Sequence, residues 1–166
     1  MRRALTISAL ALTAAGALTV PGVAHAEERV CRGSIGATTL DNVRVPTGAT
    51  CTLRGTTVKG TLKVEGGATL DARNVRVVGN VQAEGHRAVT LASSSVGGSV
   101  QLVQGGAASI ASNRVNGDVQ LFTNRGTQTV RSNRIDGNLQ CKSNAPRPVG
   151  DRNRVGGNKE DQCKTF

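Results

Sequence analysis

The stretch Asn113-Arg114-Val115-Asn116-Gly117-Asp118-Val119-Gln120-Leu121 decides the fold. Along it Asn113, Val115, Gly117, Val119 and Leu121 share one parity, while Arg114, Asn116, Asp118 and Gln120 share the other. That is the period-2 alternation of a strand with one buried face. The pattern then returns along the chain. An aliphatic-x-Gly signature stands at Val58-Lys59-Gly60, Val77-Val78-Gly79, Val96-Gly97-Gly98, Val115-Asn116-Gly117, Ile135-Asp136-Gly137 and Val155-Gly156-Gly157, with glycine spacings of 19, 19, 19, 20 and 20. One short polar residue follows each signature, and an aliphatic one follows that at Leu62, Val81, Val100, Val119 and Leu139; Lys159 breaks the column. A degraded copy upstream, Val43-Arg44-Val45 with Gly48-Ala49-Thr50, sets the start of the repeat near Thr39.

A second aliphatic position recurs at Leu70, Leu91, Ile110, Val130 and Val149, with Gly48, Gly67, Gly85, Gly105 and Gly126 at the corners between. Two or three short strands per period near 20, with no helical pattern, predict an all-β chain: a short single-stranded parallel β-helix of about 19–20 residues per coil, whose inward side chains stack coil on coil. Leucine-rich repeats are the nearest rival, because Val119-Gln120-Leu121 with Asn124 and Leu139-Gln140-Cys141 with Asn144 mimic their strand-to-asparagine step. Only two of six copies do so. A propeller blade needs about 40 residues per repeat.

Residues 1–26 read as an export signal: Arg2 and Arg3 form the basic start, Ala4 to Val20 the apolar run, and Ala24-His25-Ala26 the cleavage site. The β-helix domain is then 27–166, with an N-terminal cap at about 27–38, coils at about 39–158 and a C-terminal cap at about 159–166. No later segment is apolar for long enough to span a membrane. Cys31, Cys51, Cys141 and Cys163 all fall in the exported part, where an oxidising exterior favours disulfides. Of three possible connectivities, coil stacking favours 31 with 51 and 141 with 163. Lys159 and Asp161 stand where earlier copies bury aliphatics, a charged cap that argues against an open fibre and for a monomer.

The whole chain carries a formal charge of +10; without Arg2 and Arg3 the balance is 19 − 11 = +8. The outward slots collect this charge. Arg76, Arg114, Arg134 and Arg154 share one slot, interrupted by Ser95; beside them run Asn80, Ser99, Asp118, Asn138 and Asn158, then Gln82, Gln101, Gln120 and Gln140. The expectation is a flat strip with a cationic edge, in which Arg76, Arg114, Arg134, Arg154, Asn138, Gln120 and Gln140 meet an anionic polysaccharide or teichoic acid. Each guanidinium offers a fork for carboxylate or phosphate. Asn113, Asn133 and Asn153, in the slot held by Ser94 and Thr56 earlier, are expected to bond along the stack as a ladder.

Other chemistries lack their residues. With Trp 0, Tyr 0 and Phe 2, no aromatic platform for sugars or nucleic-acid bases can be assembled. Beyond the signal, His86 is the single histidine, and no acid cluster or C-x-x-C motif occurs, so neither a catalytic set nor a metal or other cofactor is expected. Calcium-binding nonapeptides are missing, and the Thr-x-Thr of an ice-binding face occurs once, at Thr50-Cys51-Thr52.

The signal, the V-x-G-[NDS]-[VL]-Q coils and the ending Asn153-Arg154-Val155-Gly156-Gly157-Asn158 to Cys163 resemble a group of small secreted proteins of actinobacteria over almost the whole exported chain. The resemblance implies a short right-handed β-helix similar to that of pectate lyases, without their active-site loops, and an extracellular or cell-wall location. It carries no active site to this chain. Bactofilin-like polymer-forming proteins share the valine and glycine stacking but lack the cysteine staples. The expected function is therefore a secreted, non-enzymatic β-helix that binds anionic envelope polymers. The alternatives are a minimal lyase-like polysaccharide enzyme and a structural surface or spore-coat component.

Overall fold

A computed structural model describes residues 27–166, so the expected export signal lies outside the described residues. One coil shows how the rest is built. Val100–Val103 forms a strand, the chain turns into Ala107–Ala111, turns again into Arg114–Val115, and passes a third corner into Val119–Phe122 of the next coil. Repetition gives three parallel sheets of eight, seven and seven strands. The sheet of Val100–Val103 is called sheet 1, that of Ala107–Ala111 sheet 2, and that of Arg114–Val115 sheet 3.

Register follows the repeat. Val81 pairs with Val100, Val100 with Val119 and Val119 with Leu139 on sheet 1, while Val96, Val115 and Ile135 pair in turn on sheet 3. These side chains are all at most 1% exposed. Alternation makes this inevitable, because a slip by one residue would turn each column to solvent and its polar neighbours inward. Sheet 2 carries two inward columns. Leu70 belongs with Cys51, Val89 and Ala108, whereas Leu91, Ile110 and Val130 stack on Leu53 and Ala72.

Val149 departs from expectation. It is 46% exposed, and Gly150 instead takes the slot above Val130. The ring of Phe166 occupies the space a side chain at Gly150 would need, so the C-terminal aromatic closes the column from above. Lys159 and Asp161 do pair above Leu139 and Cys141, and Lys159 Nζ donates to the Phe166 carbonyl. The expected N-terminal cap is itself a short coil: Glu28–Val30, Gly33–Ile35 and Thr39–Leu40 each add a strand to one sheet. Cys31 is bridged to Cys51 and Cys141 to Cys163, with Cα separations of 5.5 and 5.4 Å. Each bridge ties an end coil to its neighbour, where fraying would start.

Each corner has its own side-chain ladder. Between sheets 2 and 3, the Asn113, Asn133 and Asn153 Oδ1 atoms accept the backbone N–H of Ser94, Asn113 and Asn133 at 2.9, 2.9 and 3.1 Å. Between sheets 1 and 2, Asn124 and Asn144 accept from Gly105 and Asn124, and the Gln162 Oε1 ends the series on Asn144 N–H. Between sheets 3 and 1 the direction reverses: Asn42, Asn80, Ser99, Asp118 and Asn138 accept from the coil above. Corner amides point along the stack and cannot join a sheet, so a short polar side chain must satisfy them.

Candidate arginine column on the third sheet

On sheet 3, Arg114 pairs with Arg134 and Arg134 with Arg154. Below them Arg76 pairs with Ser95 and Ser95 with Arg114. Each arginine precedes an inward Val or Ile, so pleating turns it outward. Adjacent guanidiniums therefore rise from backbone positions about 4.8 Å apart. Bringing like charges so close is unfavourable, and Asp136 relieves part of it. Its Oδ2 lies 3.1 Å from Arg114 Nη2 and its Oδ1 3.2 Å from Arg134 Nε. Arg76 and Arg154 make no ion pair among the described residues.

Alongside runs a second column that sequence reading did not single out. Asn74, Ser93, Ser112 and Ser132 form the corner before each sheet 3 strand, all exposed and all left-handed, with φ of 54°, 50°, 57° and 55°. Short polar residues tolerate this conformation better than branched ones. A shallow groove of about 660 Å³ runs between the two columns, lined by Arg76, Ser93, Ser95, Ser112, Arg114 and Arg134 among others.

The remaining members of the expected strip go elsewhere. Gln120 and Gln140 lie on sheet 1, beyond a corner from the arginines, so the strip is two faces rather than one plane. There Gln101 Nε2 donates to Gln120 Oε1 at 2.9 Å, Gln120 to Gln140 at 2.8 Å, and Gln140 to the Glu160 carboxylate at 2.7 Å. Asn138 holds the corner between the two faces, its Oδ1 occupied by Asn158 N–H at 2.8 Å. Asp118 is likewise bound to Asn138 N–H at 2.7 Å. These side chains are committed to the stack.

A larger groove, about 940 Å³, lies on sheet 1 over Lys63, Glu65, Gln82, Glu84 and Gln101. Glu65 there accepts from Thr47 N–H at 3.0 Å, which holds its carboxyl below the usual range, and it also meets Arg44. The groove is bigger, but its acids repel anions and its amides bond one another. His86 is 2% exposed beneath Gly105, neither ring nitrogen has a partner among the described residues, and burial pushes its pKa down. Among the described residues no three His, Cys, Asp or Glu side chains converge as a metal site requires, and no helix is long and apolar enough to cross a membrane. Comparison with protein-family models, with curated proteins and with solved structures found no match.

Proposed function

We propose that this chain is a secreted, non-enzymatic binding module that holds an anionic polymer of the cell envelope, a teichoic acid or an acidic polysaccharide, along the arginine column of sheet 3. The single observation that carries this reading is the unbroken register of Arg114, Arg134 and Arg154 on neighbouring strands. A fold seeking stability alone gains little from three like charges at strand spacing, since directly opposed like charges destabilise a sheet. Two disulfides at the ends fit an oxidising exterior, and the balance of +8 in 27–166 favours polyanions.

The test is co-sedimentation of purified 27–166 with isolated cell walls, before and after removal of their anionic polymers. The proposal expects pelleting at low salt that disappears when the anionic polymers are stripped. No pelleting with intact walls at low ionic strength would refute it.

A further inference from the structure

The arginine column has one gap, and the gap has a shape. Thr39 and Thr57 hold this slot in the first two coils, and Ser95 interrupts the arginines above them, with Arg76 in register below and Arg114 above. Two coils separate those arginines, roughly 9.6 Å between backbone positions. The 660 Å³ groove covers this interval and continues upward to Ser132 and Arg134. Ser93 and Ser112 line it from the left-handed corner, and their hydroxyls, like that of Ser95, make no hydrogen bond among the described residues. No carboxylate lines the groove. Asp136 bonds Arg114 through Nη2 alone and does not reach Arg76.

We infer that the Ser95 gap is a phosphoryl-binding site, with Arg76 and Arg114 as jaws and the Ser95, Ser93 and Ser112 hydroxyls as its floor. The inference rests on the proposed anion-binding role of the column and names the chemistry that column prefers. A carboxylate is planar and is satisfied by one guanidinium fork. A phosphoryl group carries oxygens on several sides, so it can engage a fork from below, another from above and a hydroxyl donor between them. An unbroken row of arginines would offer only adjacent forks with no room between. Replacing one by serine opens a space one side chain deep and supplies a donor at its base. Arg134 reaches the upper end of the same groove and Arg154 lies outside it; stacked on each other without a gap, the two offer charge but no such cradle. A wall polymer with phosphodiester links and a free phosphate ion share this chemistry, and the two sources separate by experiment.

The experiment is a two-dimensional NMR titration of 15N-labelled 27–166 with inorganic phosphate, with glycerophosphoglycerol as the diester, and with acetate and glucuronate as carboxylates. Phosphate and diester should shift Ser93, Ser95, Ser112 and the Arg76 side-chain signal first, at affinities at least tenfold above either carboxylate. Ser95→Leu, which fills the gap without altering charge, should lower phosphate affinity at least tenfold, and Ser95→Thr should retain it. Arg76→Ser should match Ser95→Leu, whereas Arg154→Ser, outside the groove, should leave phosphate affinity within twofold while weakening polymer binding. A diester that binds as well as phosphate points to a polymer source; phosphate far tighter than the diester points to the free ion. Equal affinity for phosphate and carboxylates, or no effect of Ser95→Leu, overturns the site while the polymer reading stands. Loss of wall binding in wild type with phosphate shifts intact would overturn the polymer reading alone.

Discussion

Removing one rung of the asparagine ladder should cost far more than removing one outward arginine. Asn133 accepts the Asn113 backbone N–H at 2.9 Å and its Nδ2 at 3.1 Å, and donates Nδ2 to the Ile110 carbonyl at 2.8 Å. It is 2% exposed, so water does not replace these partners. Asn133→Ala orphans the buried Asn113 N–H, at about 1–3 kcal/mol, and takes a second donor from the Ile110 carbonyl, which keeps its partner in the sheet, for about 3 kcal/mol together. Domains of this size have a net stability of about 5–15 kcal/mol, so the variant should fold with a large part of its margin gone. The chain contains its own partial replacement. Ser94 stands two coils below in the same slot, where its Oγ accepts Val75 N–H at 3.1 Å and donates to the Ala92 carbonyl at 2.7 Å. Asn133→Ser should therefore restore the acceptor for Asn113 and lose only about half as much, roughly 1.5 kcal/mol. Denaturant unfolding followed by circular dichroism measures both, and hydrogen exchange at the Asn113 amide reports the local rung. A loss below about 1 kcal/mol for the alanine variant would remove the ladder from the stabilising structure. Serine no better than alanine would show that the hydroxyl does not stand in for the amide.

Three further outcomes follow from the same geometry. A methyl group on Gly98 would overlap Asn80 Oδ1 and lie 3.0 Å from the Gly79 carbonyl, while one on Gly66 meets open space; Gly98→Ala should lose about 1–3 kcal/mol and Gly66→Ala almost nothing, read as shifts in urea midpoint. His86 is held below its usual pKa of 6.5 by burial, so the unfolded chain takes up a proton where the folded one does not; stability should be full above about pH 6.5 and fall as pH drops below it, by at most about 1.4 kcal/mol per pH unit, and His86→Phe should flatten thermal melts between pH 7 and 5. Asp136→Asn frees Arg114 and Arg134, so wall affinity should rise while stability moves by less than about 0.5 kcal/mol, because the acid and both arginines are solvent-screened.

The stacking was legible because the aliphatic-x-Gly spacing is the coil length itself: residues 19 or 20 apart in sequence, such as Leu102, Leu121 and Cys141, are neighbours in register. The charged slot at Lys159 follows from that one number, and separations of 20 and 22 residues put each cysteine pair about one coil apart. The asparagines at 113, 133 and 153 could be read as a ladder because they recur without a gap. Asn124 and Asn144 were harder to read, because the slot below them holds Gly105 and then His86, and the series ends on a glutamine from the C-terminal turn. Asp118 and Asn138 have the parity of outward residues, but at a corner parity no longer sets direction, and their oxygens turn along the stack. Val149 failed as a core position because the side chain that fills the space over Gly150, Phe166, comes from 16 residues beyond that glycine, outside the repeat. The first coil was hidden by length: Glu28 pairs with Asn42 after 14 residues, short of the period. Periodicity reveals what repeats and is silent about the ends.

The measurement that bears most directly on the arginine column is the salt dependence of polymer binding. A triple variant, Arg114→Ser/Arg134→Ser/Arg154→Ser, is compared with a control of equal charge, Arg87→Ser/Arg125→Ser/Lys142→Ser, whose three exposed cations make no ion pair among the described residues. Each phosphate contact contributes about one unit to the slope of log affinity against log salt through counterion release. The account predicts that the column variant loses about two to three units of slope and most of its affinity, while the control keeps nearly all of both. Equal losses from the two variants would mean that the column is one more stretch of basic surface and that its register plays no part in binding.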